Sequence, residues 1–312
     1  MKKTTVYIDG EAGTTGLKIR SRLESVEGIE LLAIEEKLRK DVGERKKMLN
    51  TADFVFLCLP DEAAKEAVSL IENGEVRVID ASTAHRTHPG WVYGFPELSV
   101  NQEEMIRLSR RVAVPGCYAT GFIALVRPLV KAGIIPSDYP VSAYAVSGYS
   151  GGGRAAIAEY ESGVRPAELS GARLYALSQE HKHLPEMQKI CGLEHPPMFN
   201  PMIDDFYSGM VVCVPLQART LPKEYSVSDI LRTYKSHYPE IGRVRVIEDY
   251  GGAFLASNAL SGSDDIELFA FGNGEKILLV ARLDNLGKGA CGAAVQCFEI
   301  MRKNQEKQHG YI

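Results

Sequence analysis

Several features are missing from this sequence, and each absence removes a class of protein. Neither sign of charge is in excess: 36 Lys and Arg stand against 40 Asp and Glu, a formal net charge of -4. No overall field therefore draws the chain to DNA, RNA or an anionic membrane surface, and any basic site has to be local. The longest apolar runs, 53–60 and 277–283, fall far short of the ~20 residues that span a bilayer. The start, MKKTTVYIDGEAG, passes straight into a strand-like run without the apolar stretch and small-residue cleavage site of a signal peptide, which predicts a cytoplasmic protein. Internal repeats and low-complexity tracts are absent, apart from a polar tail after Lys303 that is expected to fray. The six cysteines, at 58, 117, 191, 213, 291 and 297, are scattered and never in CxxC spacing, so neither a disulfide framework nor a cysteine zinc site is expected.

What is there can build a real core, since 45% hydrophobic and 24% charged residues are ordinary globular values. At 312 residues the chain exceeds one compact core of usual size, so two domains are expected. TTVYID (4–9) reads as a short buried strand, glycines follow at 10, 13 and 16, and LKIRSRLESV continues as a helix. IELLAI (29–34), ADFVFLCLP (52–60) and VRVIDAS (76–82) are further strands, with helical segments at 41–50 and 61–73 between them. Alternating strands and helices imply parallel pairing, hence an α/β fold with a Rossmann-like doubly wound parallel sheet. RRVAVPG (110–116) leads into CYATGFIALVRPLVKAG, whose apolar spacing is helical and which ends on Gly133. Beyond it, 141–151, FNPMI, 209–219, IELFAFGN and EKILLVARLDN predict an α+β second domain with a mostly antiparallel sheet. KGACGAAVQCFEIMRKN (288–304) is helical again and is expected to pack back on the first domain.

A tight turn after a first strand needs glycine for its dihedrals, for close approach of a pyrophosphate and for close packing of the helix on the sheet. Gly10, Gly13 and Gly16 supply that series, and the helix start beyond them favours phosphate, with Thr14 and Thr15 as hydroxyl donors. The second strand is followed by Glu35, Glu36, Lys37, Leu38, Arg39 and Lys40. An acid there would hold the ribose hydroxyls of NAD; Arg39 or Lys40 would hold a 2′-phosphate and favour NADP; or the whole run is a solvated loop.

A thiol attacks as its thiolate, and a helix start favours that form. VPGCYATG places Cys117 at such a start, with first-turn amides able to stabilise an oxyanion on a carbonyl bound to the sulfur. Cys58, Cys213 and Cys297 lie in apolar runs and read as small hydrophobes. Histidine suits the proton transfers at neutral pH, and SQEHKHLPEM offers His181 and His183, with Glu186 behind them to orient a ring. The pair would also make half a metal site, but no third ligand is evident. His195, His237 and His309 read as structural. DASTAHR (80–86) ends a parallel strand, where open α/β sheets bind ligands; it offers Ser82 to a cofactor and Arg86 to a carboxylate or phosphate. SGYSGGGR (147–154) offers Ser147 and Gly148 and puts Arg154 after a flexible loop suited to a substrate anion. LDNLGKGACG (283–292) would bring the Asn285 amide to a nicotinamide and Lys288 to a phosphate.

GEAGTTG, DASTAHR, YGFPEL, VPGCYATG, SGYSGGGR, HKHLPEM and DNLGKGACGAAVQ, in that order over nearly the whole chain, resemble N-acetyl-gamma-glutamyl-phosphate reductase of the shorter type, within the aspartate-semialdehyde dehydrogenase superfamily. The resemblance implies NADPH-dependent reduction of N-acetyl-gamma-glutamyl phosphate to N-acetylglutamate 5-semialdehyde and inorganic phosphate, in arginine biosynthesis, through a thioester on Cys117. It implies His181, or else His183, as the acid/base with Glu186 near it, Arg86 and Arg154 on substrate anions, and no metal. It also implies an NADP-binding domain over 1–116, a catalytic and oligomerisation domain over 117–287 that makes a homodimer or homotetramer, and a C-terminal helix over 288–312 returning to the first domain. Two departures stand out: STAHR has His85 where the longer type carries an aromatic, and GKGACG has Cys291 where serine is common. The alternatives are another acyl-phosphate reductase such as aspartate-semialdehyde dehydrogenase, a nonenzymatic NADP-binding sensor, or a cysteine hydrolase that would leave the nucleotide turn without a purpose.

Overall fold

A computed structural model describes residues 3–239 and 242–309, with 304–309 by backbone alone. The tail side chains beyond Lys303, His309 among them, and the fraying expected there lie outside the described residues. Contacts cluster into two compact units: one uses the chain through Pro115 and again from Ala290 onward, the other is Gly116–Gly289.

The first unit begins with β1 (Thr4–Asp9), α1 (Thr14–Leu23), β2 (Ile29–Leu32), α2 (Val42–Thr51), β3 (Phe54–Leu57) and α3 (Asp61–Ser69). It continues with β4 (Arg77–Asp80), β5 (Val92–Tyr93), α4 (Gln102–Leu108) and β6 (Arg111–Ala113). Its six strands pair in the order β2-β1-β3-β4-β6-β5, all parallel. The chain steps from β1 outward to β2 and then crosses to β3 on the other side, so the order reverses at β1 and β3. Ligands of open α/β sheets bind outside the carboxyl ends of the strands at such a reversal, and the glycine turn leaves the carboxyl end of β1. Helix α1 starts at Thr14, earlier than its apolar spacing indicates, because its first turn is built on the glycine turn and presents polar residues.

The second unit contains α5 (Cys117–Lys131), β7 (Ser142–Gly148), α6 (Gly153–Tyr160), β8 (Arg173–Leu174), α7 (Leu184–Cys191), β9 (Met198–Asp204) and β10 (Met210–Gln217). It closes with α8 (Val227–His237), β11 (Val244–Val246), β12 (Ile266–Gly272) and β13 (Lys276–Leu283). The sheet runs β11-β12-β13-β10-β7-β9-β8. Two pairings, β7 with β9 and β11 with β12, are parallel; the other four are antiparallel, so the sheet is mixed. A π-helical turn, Gly287–Cys291, then leads into α9 (Gly292–His309).

Both faces of the first sheet are covered, which is why its strands read as unbroken apolar runs. Val6, Ile8, Phe54 and Phe56 face a core shared with α1 and α9, and Phe298 of α9 meets Phe54 edge-on at 4.9 Å. Tyr7, Val55, Leu57 and Val78 face the opposite core with Leu49, Ala64 and Ala67. The return of α9 to this sheet is thus a packing event between apolar side chains far apart in sequence. Among the described residues no helix is long and apolar enough to cross a membrane.

Candidate active site

The glycine turn is held by short-range geometry. Gly10 has φ +88, and a Cβ there would stand 2.3 Å from the Cys58 carbonyl oxygen, so only glycine fits between β1 and the end of β3. A Cβ on Gly16 would meet the Gly10 carbonyl oxygen at 2.6 Å, which lets α1 lie directly under the turn. Helix α1 has Gly13 as its N-cap, with no side-chain cap and no acidic residue in its first turn, so its leading amides are left for an anion. Thr14 Oγ1 is buried there without a hydrogen-bond partner. A cavity of about 340 Å³ opens beside the turn, lined by Gly10, Glu11, Ala12, Arg39 and Lys40, among others. Gly10 of the turn and the two expected cations, Arg39 and Lys40, therefore share one cleft, and the donor set fits a phosphorylated dinucleotide. Its floor was not foreseen from sequence: Arg45 Nη2 donates to buried Asp9 Oδ2 at 2.9 Å, an ion pair whose partners lie 36 residues apart.

Cys117 is the first residue of α5, a helix of 15 residues whose N-cap, Gly116, carries no side-chain cap and whose first turn holds no acidic residue. The helix start favours a thiolate. The Gly116 N–H donates to Glu186 Oε2 at 3.2 Å, and Glu186 is 2% exposed. The buried carboxylate of α7 thus fixes the backbone immediately before the sulfur. Gly289 packs on the other side: a Cβ there would lie 2.9 Å from Cys117 Cβ. None of the cysteines forms a disulfide. Burial pushes the Cys58 and Cys191 thiols well above their usual range, with the Asp80 and Asp9 charges adding at Cys58. Cys213 is pushed up to about 11, again by burial.

His181 stands beside this helix start. Its Nδ1 accepts the His183 N–H at 3.1 Å, which leaves Nε2 to carry the proton of the neutral ring. Its ring meets Tyr118, which follows Cys117 in the chain, edge-on at 5.8 Å, and Phe199 at 5.2 Å. His183 is buried, 4.7 Å from His181 between ring centroids.

The other expected residues are placed differently from one another. In DASTAHR, fully buried Asp80 accepts from Ser82 N–H at 2.8 Å, from Ser82 Oγ at 2.7 Å and from His85 Nδ1 at 2.6 Å. The His85 ring stacks on Trp91 at 4.2 Å. The Ser82 hydroxyl proton is therefore engaged by Asp80. Arg86, expected as a clamp for a carboxylate or phosphate, is buried and donates from Nε to Val114 O and from Nη2 to Ala81 O, bracing the ends of β4 and β6. In SGYSGGGR, Ser147 and Gly148 close β7. The expected flexible loop is a 3-10 turn, Tyr149–Gly152, pinned by the Tyr149 and Ser150 amides to the Phe206 and Tyr207 carbonyls. Arg154 accordingly stands, exposed, in the first turn of α6. Asn285 Oδ1 accepts the Gly209 N–H at 2.8 Å and its Nδ2 donates to Ser150 Oγ at 3.0 Å, so its amide ties two loops together. Lys288, read as a phosphate ligand, is 1% exposed. Among the described residues no group of three His, Cys, Asp or Glu is placed to hold a metal ion.

Family models match both units under one heading: semialdehyde dehydrogenase, NAD binding domain, over residues 5–107, and semialdehyde dehydrogenase, dimerisation domain, over 117–285. The fold agrees with that class. Aspartate semialdehyde dehydrogenase II of Vibrio cholerae, in complex with ASA, superposes with a TM-score of 0.72 at 16% identity, covering 97% of this chain and 99% of that one. The Francisella tularensis aspartate semialdehyde dehydrogenase gives the same TM-score and identity. Within the class, the particular relatives are much nearer in sequence. N-acetyl-gamma-glutamyl-phosphate reductase 2 of Pseudomonas putida is 48% identical over 306 residues, 96% of this chain and 97% of that protein. The Nostoc protein of the same name is 47% identical and the Burkholderia cenocepacia N-acetyl-gamma-glutamyl-phosphate reductase 45%, each over 96% of this chain. The chain belongs to the N-acetyl-gamma-glutamyl-phosphate reductase family.

Proposed function

We propose that this protein catalyses the NADPH-dependent reduction of N-acetyl-gamma-glutamyl phosphate to N-acetylglutamate 5-semialdehyde and phosphate, as a cytoplasmic homodimer or homotetramer of arginine biosynthesis. The observation that carries this reading is a half-buried cysteine at the uncapped start of a long helix, in a chain nearly half identical to reductases of that name. The Gly10–Gly16 turn would hold NADPH, with Arg39 and Lys40 toward its 2′-phosphate, and the bound cofactor would supply the hydride.

The protein's own residues do the rest. Cys117 thiolate attacks the acyl carbon; a C–S bond forms, the C–O bond to phosphate breaks, and phosphate leaves with its electron pair. The first amides of α5 and His181 Nε2–H stabilise the oxygen as its charge grows, and Glu186 holds the helix start in place through the Gly116 N–H. After reduction of the thioester carbon the oxygen's electron pair re-forms the carbonyl, the C–S bond breaks and sulfur departs as thiolate, with His181 managing the proton. Arg154 and Arg86 are the candidates for the substrate's anionic groups.

The test runs the reaction backwards, following NADP reduction with N-acetylglutamate 5-semialdehyde and phosphate, beside aspartate semialdehyde as competitor. Turnover of the acetylated substrate is expected, with Cys117→Ser at least about a thousandfold slower and NADPH binding retained. A Ser variant that turns over normally, or preference for aspartate semialdehyde, refutes the assignment.

A further inference from the structure

We propose that Tyr175 is a further catalytic residue: its phenol hydroxyl donates a hydrogen bond to the carbonyl oxygen of the acyl group on Cys117, alongside His181 Nε2–H. The proposal rests on the reading of Cys117 as nucleophile.

Tyr175 follows β8 directly, and its N–H donates to Pro201 O at 3.1 Å, which extends the strand pairing by one residue and fixes the backbone. Its ring meets His181 at 5.8 Å and Tyr118 at 6.4 Å, so it stands in the aromatic group that surrounds the start of α5. The backbone on its far side is strained. Ala176 has φ 53 and Gln179 φ 58, the only non-glycine residues with positive φ among those described. Such conformations cost on the order of 1–3 kcal/mol each and persist only where the surroundings impose them. Here the imposing contact is visible: Gln179 Oε1 accepts the Phe199 N–H at 3.0 Å and its Nε2 donates to Asn200 Oδ1 at 3.3 Å. The segment 176–180 is thereby pressed onto β9, which aims Tyr175 on one side and His181 on the other. Packing alone does not call for a bent, strained connection between two half-buried rings.

The chemistry of the hydroxyl agrees. Burial pushes the Tyr175 phenol well up, and negative charge on Cys117 pushes it further; the same two causes, with Tyr175 itself, raise Tyr118. Both phenols therefore keep their protons while the sulfur is a thiolate, and both lie within its field. The Ser147 hydroxyl donates to the Gly148 carbonyl at 3.1 Å and the Tyr118 hydroxyl to the Met202 carbonyl at 3.3 Å. With the Tyr118 proton given to Met202, the Tyr175 O–H is the phenol of this aromatic group left to donate to the acyl oxygen. When the hydride pair adds to the thioester carbon, the carbonyl π pair moves onto oxygen; Tyr175 donates a hydrogen bond to it without transferring the proton, and the pair returns as the C–S bond breaks. A donor aimed where charge develops is worth more in the transition state than in the ground state.

The experiment compares Tyr175→Phe with wild type in steady-state turnover and in the rate of Cys117 alkylation by iodoacetamide. The expected result is a fall in kcat of about 100-fold with an unchanged alkylation rate and an unchanged KM for NADPH. Turnover within twofold of wild type overturns the proposal, and so does a parallel fall in alkylation, which would mean that Tyr175 acts on the sulfur or on the loop. Should the Phe variant lose thermal stability, 3-fluorotyrosine at 175 keeps both packing and hydroxyl while making the phenol a stronger acid; a changed kcat supports the role and an unchanged one overturns it. Normal turnover by Cys117→Ser, run in parallel, would instead sink the underlying reading.

Discussion

Replacing Gly289 by Ala tests how tightly Cys117, the proposed nucleophile, is held from outside its own helix. A Cβ built at 289 comes within 2.9 Å of Cys117 Cβ and 3.0 Å of the Asp284 carbonyl oxygen, where ordinary van der Waals contact is 3.4–4 Å. One wall of this gap is the Asp284 backbone and the other is Cys117 Cβ, so neither is the loose end of a flexible group. Relief requires a shift of about 0.5 Å or more between the Gly287–Cys291 turn and the start of α5. Overpacking of this kind typically costs about 1–3 kcal/mol of stability, and misplacing a reacting atom by about 1 Å can cost 100-fold in rate. The expected outcome is therefore a folded protein, melting a few degrees lower, whose kcat is about 10- to 100-fold reduced. NADPH affinity is expected to stay at the wild-type value, because the glycine turn is not touched. Stopped-flow turnover, calorimetric melting and cofactor titration read these quantities. A Gly289→Ala enzyme with full activity would refute the reasoning, and one that lost cofactor binding in step with activity would show that the turn serves the nucleotide instead.

Two other outcomes follow from the same structure. Removing both cations with Arg39→Ala and Lys40→Ala is expected to raise KM for NADPH by about 10- to 100-fold, the worth of one charged hydrogen bond to phosphate, while KM for NADH stays level; equal changes for the two cofactors would place the 2′-phosphate elsewhere. The buried thiols predict an alkaline limit. Burial favours the neutral form of Cys213, raising it from 9.0 to about 11, and raises Cys58 and Cys191 as well. The stability these groups contribute is fully present below pH 9 and lost as pH rises through about 11. The melting temperature should fall across that window, and iodoacetamide at pH 8 should label Cys117 before Cys58, Cys191 or Cys213; early labelling of those three would contradict the cause assigned.

The candidate site was legible in proportion to how local its chemistry is. The strand, the glycines at 10, 13 and 16 and the helix after them are one short segment whose geometry follows from which residues lack a Cβ. A cysteine after Pro115 and Gly116 announces a helix start in the same way. His181 was legible as a candidate, whereas its tautomer rests on the His183 amide meeting Nδ1, a matter of backbone path. Arg86 and Ser82 show the opposite limit. Their strand-end position announces a ligand site, but not that the carbonyls of Ala81 and Val114 and the carboxylate of Asp80 bond these side chains. Tyr175, the Asp80–His85 pair and the Asp9–Arg45 pair carried no signal in sequence, since each depends on partners brought together by folding.

By itself the sequence determined what short-range sterics and periodicity can determine: an alternating α/β half, a glycine turn fit for a pyrophosphate and a cysteine at the head of a helix. The tertiary structure alone decided which side chains of α9 meet the first sheet, Phe298 against Phe54 among them, that Arg39 and Lys40 share a cleft with Gly10, and that Glu186 secures the backbone beside Cys117. The physical reason is that a turn or a helix start is set by bonded neighbours, whereas a hydrogen bond between residues 116 and 186 exists only after two helices have been packed against each other by the apolar surface they bury.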